Sequence, residues 1–550
     1  MNLLYLSHRI PYPPNKGDKI RSFNQVKYLA GAGHKVHLVC LADQTGDTVY
    51  KENLLAWCKS VYLEYRSKDR AKVCSLPWLL SSLPLSVPCF YSSGLQKEVD
   101  RLLQEEDIEA VVCFSSVMGE YIVRSSIPNL DDLILIMDFC DLDSDKWLQY
   151  STGTLPPMSW IYAREGRLLL DYEKRLEAYF DYFLFVTRAE ADLFISRGGS
   201  GERIRILANG VDHDFFTPAG EDTGHDSTGE KGPVLMFSGA MDYHANVDGI
   251  RWFCKDVWPG LSGKVSDLRL HIVGANPVAA VRGLAGENVE VTGYANDIRE
   301  YYRKSDICII PLRLARGVQN KVLEAMAMGR PVVTTSRVLQ GIPATPEQDL
   351  LTADTAREFE RQVLRLLNDS ELARTIGNQG RKFVLRHYDW QQNLQGLDSL
   401  LQDKPGKKSG NPGWRRGRFN PVYFLVFILV LFFVSLWPME VTSPGAAILY
   451  RIDPDLQNFM HLPFYILFAL LFLDLLENVN LGRGRRLAIF AGTGTAFCLL
   501  LEGAQLFVPG RYFSVTDFLV NVIGLLVGMA LYRLLLGKHG FSQGKLTTGI

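Results

Sequence analysis

The sequence predicts an α/β chain of two similar domains, each built on a parallel sheet, followed by an all-α domain of four transmembrane helices. Residues up to about 402 repeat a short apolar strand, a loop and an amphipathic helix, which is typical of doubly wound α/β folds. Residues 419–536 are mostly apolar, in four blocks, each able to cross a hydrocarbon layer of roughly 30 Å as a helix.

The first domain, residues 1–218, begins with a strand, a loop, a helix and a second strand. Asn2–Ser7 is apolar, residues 19–31 have the spacing of an amphipathic helix, and Val36–Leu41 follows as a strand. This order predicts a Rossmann-like sheet. Further predicted strands are Ala110–Phe114, Leu133–Met137 and Tyr182–Thr187.

The second domain, residues 233–402, repeats this pattern after a polar linker, residues 219–232. Its predicted strands are Val234–Ser238, Leu268–Val273, Val289–Thr292, Ile307–Ile310 and Val332–Thr334, and its last helices cover 356–368, 371–386 and about 390–402. Because ligands bind at the carboxyl ends of parallel strands, two such domains predict a cleft between them that holds the ligand.

The most informative segment runs from Arg316 to Val333. A helix is predicted to start at Asn320 and to end at Gly329, so its free N–H groups and positive dipole suit an anionic ligand. Lys321 adds a cation for a diphosphate, and Glu324 lies on nearly the same face, where it suits two ribose hydroxyls. The alternative is an ordinary α/β helix capped by Asn320.

Two glycine loops are further candidates for donor binding. Gly17 follows the first strand and Arg21 lies one helical turn later, while Gly239 follows the first strand of the second domain. A backbone without a side chain admits a phosphate or a sugar closely. The alternatives are a turn glycine at 17 and a solvated surface arginine at 21.

An acidic run, Asp138–Trp147, contains aspartates at 141, 143 and 145. Such a DxDxD pattern suits a metal–diphosphate site, whereas a solvated loop or a role beside the acceptor are the alternatives. Asp138 and Asp141 follow a strand end, which makes them candidates for acceptor contact or for the catalytic base. We expect no metal.

Composition restricts the possible functions. The formal net charge of −1 argues against bulk attraction to nucleic acid, and the nine cysteines form no CxxC pair or zinc cluster. The chain begins directly with a strand and not with a basic, then apolar, leader, so we expect the first domain in the cytoplasm.

The C-terminal part, residues 419–537, contains the predicted spans Phe419–Trp437, Leu456–Leu473, Leu487–Val508 and Val515–Leu536. A basic linker, 403–418, precedes the first span, and arginines 483, 485 and 486 lie between the second and third. The positive-inside rule therefore predicts a multi-pass protein with both termini in the cytoplasm.

Polar residues collect near the opposite, outer ends of these spans: His461, Glu502, Gln505, Arg511, Asp517 and Asn521. Ionisable groups at membrane depth are costly and commonly functional. A structural cluster that fixes the helices, for example Glu502 with Arg511, is the alternative. Gly524 and Gly528 form a GxxxG pattern typical of helix packing.

The segment Arg316–Gly329 resembles the donor-nucleotide signature of family 4 glycosyltransferases, which have the two-domain GT-B fold. The resemblance implies a metal-independent, retaining transferase of the hexosyltransferase type, without a cofactor and with a nucleotide-diphosphate sugar as co-substrate. Catalytic roles then fall to Glu324, the ribose-binding residue, and Lys321. One departure is that Arg316 occupies the position of a usual glutamate that contacts the donor sugar.

Residues 1–402 also resemble sugar transferases associated with PEP-CTERM/exosortase systems, through Pro11–Arg21, Asp141–Trp147 and Arg316–Gly329. The run from Glu502 to Gly524 resembles the VanZ-like family. Together these imply a transferase in the bacterial inner membrane that uses a membrane-linked, polyprenyl-type glycan acceptor for exopolysaccharide or envelope glycan. A nucleotide-sugar epimerase and a non-catalytic, sugar-nucleotide-binding scaffold for the VanZ-like part are the alternatives.

Overall fold

The computed structural model describes residues 1–75, 78–79, 81–125, 127, 130–218, 232–315, 317–403, 421–436, 461–477, 483–508 and 513–535. The chain separates into two compact units. One comprises Met1–Lys72 and Ser86–Pro412, and the other comprises Val73–Leu85 and Gly413–Ile550. The predicted linkers 219–232 and 403–418 lie almost entirely outside the described residues.

The first unit contains two parallel sheets. The first has the order β3-β2-β1-β4-β5-β6-β7, with strands β1 Asn2–Ser7, β2 Lys35–Ala42, β3 Ser60–Tyr65, β4 Ile108–Phe114, β5 Ile134–Cys140, β6 Tyr182–Phe185 and β7 Ile204–Ile206. The second has the order β10-β9-β8-β11-β12-β13, with strands β8 Val234–Ser238, β9 Arg269–Val273, β10 Val289–Gly293, β11 Ile307–Ile310, β12 Val332–Thr334 and β13 Leu351–Thr352. The prediction of two doubly wound sheets is confirmed.

Helices connect the strands of both sheets. Those of the first domain are α1 Gly17–Gly31, α2 Lys51–Leu55, α3 Lys68–Ser75, α4 Ser86–Phe90, α5 Ser93–Glu105, α6 Gly119–Val123, α7 Asp143–Thr152, α8 Met158–Leu176 and α9 Arg188–Ser196. Those of the second are α10 His244–Trp252, α11 Trp258–Ser262, α12 Ala279–Arg282, α13 Ile298–Lys304, α14 Asn320–Ala327, α15 Ala356–Asn368, α16 Ser370–His387 and α17 Trp390–Gln402.

The observed ends of some strands and helices differ by a few residues from the predicted ones, because local hydrogen bonds set where an element ends. The predicted strand from Tyr182 ends at Phe185, because the Thr187 side chain accepts a hydrogen bond from Glu190 N and caps α9. Helix α14 begins at Asn320 as predicted, but Gln319 and not Asn320 is its N-cap residue. Within the described residues, no side-chain hydrogen bond from Gln319 caps this helix start.

The last helix of the first unit, α17, packs on the first domain although it follows the second. Its buried face, with Trp390 and Leu394 among others, belongs to the same apolar core as Tyr5 and Val112. Tyr28 of α1 donates a 2.8 Å hydrogen bond to Asp398, which ties α17 to α1. The chain therefore passes between the two domains twice, once from the first domain to the second and once back to the first at α17.

The C-terminal unit is helical, with α18 Pro421–Ser435, α19 His461–Glu477, α20 Arg483–Gln505 and α21 Val515–Leu535. Gly484–Gln505 and Val515–Tyr532 are long and apolar enough to cross a membrane, and Phe424–Ser435 and His461–Leu476 are shorter apolar helices. The predicted packing role of the GxxxG pattern is confirmed: a Cβ on Gly528 would lie 2.6 Å from Ala469 Cβ of α19.

Candidate functional site

The core of the site is the start of α14 beside the loop that follows β8. Gly239 in this loop has a φ of +146°, and a Cβ there would lie 2.8 Å from Lys321 Nζ and 2.7 Å from Asn246 Nδ2. Only glycine leaves this space open, because the conformation and the contacts both exclude a side chain. The loop and the lysine therefore border the same small volume.

Lys321 is held by a residue that the sequence analysis missed. Its Nζ donates a 2.5 Å hydrogen bond to Asn246 Oδ1 and lies 4.7 Å from the ring centroid of Phe237. Asn246 Nδ2 in turn donates to Ala240 O at 2.8 Å, which fixes the amide between loop and cation. The signal for Asn246 was its place in the first turn of the helix after the glycine loop.

Burial controls the charge of Lys321. It lowers the pKa of the ammonium from 10.5 to about 7, and the nearby Glu324 carboxylate offsets only part of this effect. A doubly charged diphosphate would stabilise the ammonium form, since it places opposite charge in a poorly hydrated space. The hydrogen-bond partner of the ammonium, Asn246, is neutral, so the protonated lysine places positive charge beside the Gly239 loop.

Glu324 lies one turn along α14, as the spacing predicts, and is also held from behind. Tyr302 donates to Glu324 Oε2 at 3.1 Å and lies 2.9 Å from Ser238 Oγ. Burial raises the pKa of Glu324, whereas Tyr302 and Lys321 lower it. Tyr302 was not a predicted site residue, because a tyrosine inside a helix pattern is more commonly core.

Two segments of the first domain, one at Gly17 and one at Asp141, lie close to the start of α14 and to the loop that precedes it. Gly17, exposed at the start of α1, faces Asn320, whose Nδ2 would lie 3.9 Å from a Cβ at 17. Asp141 faces Gly317, where a Cβ would lie 2.7 Å from Asp141 Oδ1. The predicted candidates Gly17, Asp141 and Asn320 thus meet at one cleft, while Arg316 lies outside the described residues.

Asp141 is a carboxyl group with an unusual environment. Burial, followed by the charges of Glu190 and Asp143, raises its pKa from 3.8 to about 6. Perturbed groups in a cleft are candidates for proton transfer. Among the residues that the structure describes, no group of three or more His, Cys, Asp or Glu side chains is arranged to hold a metal ion.

Arg21 and Asp138, predicted respectively to bind the donor and to act in catalysis, are 0 % exposed and pair with each other at 2.9 Å. Arg21 also donates to Leu207 O and to Asn209 Oδ1, at 2.8 and 2.9 Å. It therefore anchors the segment that leaves the first domain. Because neither side chain presents an atom to the cleft, the structure favours a positioning role over the predicted ligand contact.

His8, directly after β1, is a third residue that was not predicted from the sequence. Its Nε2 lies 3.5 Å from Asp18 Oδ2, and its ring stacks on Phe114 with centroids 5.8 Å apart. Its position directly after a strand end was the available signal. Arg313, in contrast, forms an ion pair with Asp248 at 2.5 Å, so its charge is already engaged.

In the C-terminal unit, some residues of the predicted polar cluster lie in contact with one another. Glu502, Gln505 and Asn521 are 1 %, 3 % and 0 % exposed, and Asn521 Nδ2 donates to Glu502 Oε1 at 3.0 Å. His461 begins α19, and Asp517 lies in the first turn of α21. Arg511 lies outside the described residues, so its predicted pairing with Glu502 stays a prediction.

Comparison with known proteins agrees with this arrangement. Residues 232–369 match the family of glycosyl transferases group 1, and residues 417–536 match the VanZ/LLP1 family. An uncharacterised 44.6 kDa protein in the cps region of Klebsiella pneumoniae is 22 % identical over 404 residues, covering 70 % of this chain and 96 % of that protein.

Solved structures show the fold of the first unit. Sucrose-phosphate synthase from Thermosynechococcus elongatus superposes with a TM-score of 0.53 at 16 % identity, covering 73 % of this chain and 98 % of that one. Anabaena HepE in complex with UDP and glucose gives 0.52 at 14 % identity, covering 73 % and 99 %.

The fold is therefore that of GT-B proteins, two Rossmann-like domains facing a cleft. Within this chain, residues 232–369 are similar to group 1 glycosyl transferases, and residues 417–536 are similar to VanZ/LLP1 proteins.

Proposed function

We propose that this protein is a membrane-tethered, retaining glycosyltransferase that transfers a sugar from a nucleotide-diphosphate donor to a membrane-associated acceptor. The observation that carries the proposal is Lys321, held by Asn246 beside the open Gly239 loop in the first turn of α14. Backbone N–H groups, helix dipole and ammonium all favour a diphosphate there. UDP in the HepE structure supports the choice of ligand class.

In this proposal the protein acts by positioning and by stabilising the leaving group. Lys321 and the start of α14 hold the diphosphate as the bond from the sugar to its oxygen breaks. Glu324, oriented by Tyr302, takes the ribose hydroxyls. Asp141, across the cleft, accepts the proton of the acceptor hydroxyl, since it is ionised above a pH of about 6. No metal or cofactor takes part.

We propose a polyprenyl-linked glycan acceptor and a role in bacterial exopolysaccharide or envelope glycan synthesis. The relative in the cps region and the apolar helices of the C-terminal unit support this placement. A multi-pass anchor in the inner membrane, with four spans and both termini in the cytoplasm, would hold the enzyme close to such an acceptor and raise its effective concentration.

The test is a screen of nucleotide sugars against the purified full-length protein. The donor raises the unfolding temperature, and sugar moves from it to a lipid-linked acceptor. Conversion of the donor to an isomer without acceptor would instead identify an epimerase. Binding without any turnover in the presence of candidate acceptors would identify the non-catalytic scaffold.

We propose a separate role for the VanZ-like domain in binding a lipid or glycan head group at the outer face. The buried Glu502–Asn521 hydrogen bond supports it, because a carboxylate among apolar helices is costly unless it is used. Replacing Glu502 by alanine then abolishes complementation of a deletion strain while donor turnover persists. Wild-type complementation by both Glu502→Ala and Asp517→Ala would remove this role.

A further inference from the structure

The hairpin formed by α7 and α8 carries the most exposed apolar tip of the first domain's described residues. Leu155 is 83 % exposed, Trp160 69 %, Met158 40 % and Tyr150 37 %. They surround the connection between two helices, where a soluble surface normally carries polar side chains. Exposing so many large apolar side chains to water is unfavourable in free energy, which indicates that a partner covers them.

The hairpin is rigid enough to present this tip. Trp147 and Tyr162 pack across the two helices with ring centroids 5.4 Å apart, and Tyr150 lies 6.2 Å from Tyr162. At its base, a Cβ on Gly166 would lie 2.6 Å from Leu148 Cγ, which shows how closely α8 approaches α7. The exposed tip is therefore part of a packed element and not an unsupported loop.

Its charge pattern selects the chemistry of the partner. Residues 147–163, which include the tip, contain no charged residue, and Lys146 and Arg164 at the two ends have Asp145 and Glu165 directly beyond them. An uncharged tip with exposed tryptophan, leucine and methionine is typical of segments that lie in the interface of a lipid bilayer.

The position of the hairpin relates it to the cleft. Helix α7 begins at Asp143, two residues after the Asp141 that faces Gly317. Its ten residues make it about 15 Å long at 1.5 Å per residue. Lys146, half exposed in the first turn, has a raised pKa, chiefly through Asp143 and with smaller contributions from Tyr150 and from Tyr243 of the second domain.

We infer that the tip of this hairpin, residues 153–160, inserts into the interface of the membrane. There it brings the acceptor side of the cleft within about one short helix of the lipid surface. The inference deepens the proposed function and depends on it for the reason why the contact exists. Membrane insertion of the tip itself is measurable whether or not the protein transfers sugar.

The experiment uses the full-length protein reconstituted in phosphatidylglycerol–phosphatidylcholine vesicles, with and without lipids brominated on the acyl chain. The contribution of Trp160 is the difference in emission between the wild type and Trp160→Phe. We expect brominated lipid to lower this contribution by about twofold or more, since bromine quenches only tryptophans at bilayer depth. The matched control is Trp57→Phe, because Trp57 is also exposed, at 37 %, on the same domain.

A Trp160 contribution that brominated lipid leaves unchanged overturns the inference. A change that depends on protein concentration and not on lipid assigns the tip to a second copy of the chain and overturns it as well. The double variant Leu155→Glu/Trp160→Glu provides the functional measurement. It should lower transfer to a vesicle-embedded acceptor about tenfold or more, because charge is expelled from the interface.

Donor hydrolysis in detergent separates the two proposals. If the wild type and the double variant hydrolyse the donor equally in detergent, a loss of sugar transfer in vesicles is caused by the change in the hairpin. If the wild type neither binds nor turns over any donor, the proposed function fails while quenching of Trp160 still supports membrane contact. Equal transfer by both proteins in vesicles contradicts the inference and leaves the transferase intact.

Discussion

Lys321 Nζ donates a 2.5 Å hydrogen bond to the side-chain oxygen of Asn246, a residue 75 positions earlier in the chain. The bond holds the ammonium over the Phe237 ring and beside the Gly239 loop. A neutral acceptor fixes the position of the cation without neutralising it, so the charge remains available for a ligand. This relationship underlies the first two predictions.

Lys321→Ala lowers nucleotide affinity and sugar transfer by about tenfold or more, because a charge-assisted contact to the diphosphate is removed. Calorimetric titration with UDP and a transfer assay measure the two effects. Lys382→Ala is the matched control, since Lys382 is exposed on α16 of the same domain. Loss of less than tenfold in the Lys321 variant would count against the assignment.

Nucleotide affinity should depend on pH through Lys321. Below its pKa of about 7, Lys321 is already protonated, so nucleotide affinity does not change with pH. Above that pH, Lys321 must take up a proton for each nucleotide that binds. Affinity therefore falls by up to about tenfold per pH unit above 7, with proton uptake on binding. Titrations at pH 8 in buffers of different ionisation enthalpy measure this uptake. It should vanish in Lys321→Met, and its persistence there would identify another group.

The free protein should respond to pH in the opposite sense. The folded pKa of Lys321 is lower than the usual 10.5, so the unfolded chain binds one more proton between pH 7 and 10.5. This group therefore makes the free energy of unfolding rise with pH across that window. Comparing the pH dependence of urea unfolding in the wild type and Lys321→Met isolates it. A difference that falls as pH rises would contradict this environment for Lys321.

Glu324→Ala lowers transfer about tenfold or more, because two ribose hydroxyls lose their acceptor. Tyr302→Phe leaves the carboxylate in place and removes the 3.1 Å hydrogen bond that orients it, together with the hydroxyl's contact to Ser238 Oγ, so its effect on nucleotide affinity should be smaller. Competition between UDP and the 2′-deoxy analogue measures ribose contact directly. If both variants discriminate the two nucleotides as well as the wild type does, Glu324 does not bind the ribose.

Asp141→Asn slows transfer about tenfold or more while nucleotide affinity is retained, since the proton acceptor is removed and the diphosphate site is not. In the wild type, transfer should fall as pH decreases through about 6. The charge of Asp143 is one cause of this raised pKa, so Asp143→Asn should move the acidic limb to lower pH. An unshifted limb in Asp143→Asn, or an intact limb in Asp141→Asn, would exclude Asp141 as the titrating group.

Asp138→Asn destabilises the protein by about 3 kcal/mol or more, because it leaves the buried Arg21 charge without its counterion. Urea unfolding measures the change. Asp192→Asn is the control, since its ion pair with Arg188 is exposed and should contribute less than about 1 kcal/mol. Unchanged stability combined with lost nucleotide binding would instead support the ligand contact predicted from the sequence.

The fold was predictable because its signals are local. Each strand is a short apolar run, and each helix has its own periodicity, so the two parallel sheets follow from neighbouring residues. Helix α14 and the shared face of Lys321 and Glu324 were equally accessible, since residues one turn apart lie together in any helix. The GxxxG contact of α21 is a similar case.

The partners of these residues were not predictable in the same way. Asn246 contacts Lys321, Tyr302 contacts Glu324, and Arg21 contacts an aspartate 117 positions away, each through the tertiary fold. No periodicity in one sequence encodes which side chains of distant elements meet. The alternative of Arg21 as a solvated surface residue was wrong for this reason, whereas its contact with the donor stays a prediction.

The sequence by itself determined the class of fold, the division into a charged α/β part and an apolar part, and the helix start at Asn320 with Lys321 in its first turn. Short-range spacing and composition suffice for these, because hydrophobic periodicity and backbone geometry act within a few residues. Only the tertiary structure decided which charged groups are buried in pairs and which line the cleft. Burial, and with it the pKa of Lys321 and Asp141, depends on elements brought together from distant parts of the chain.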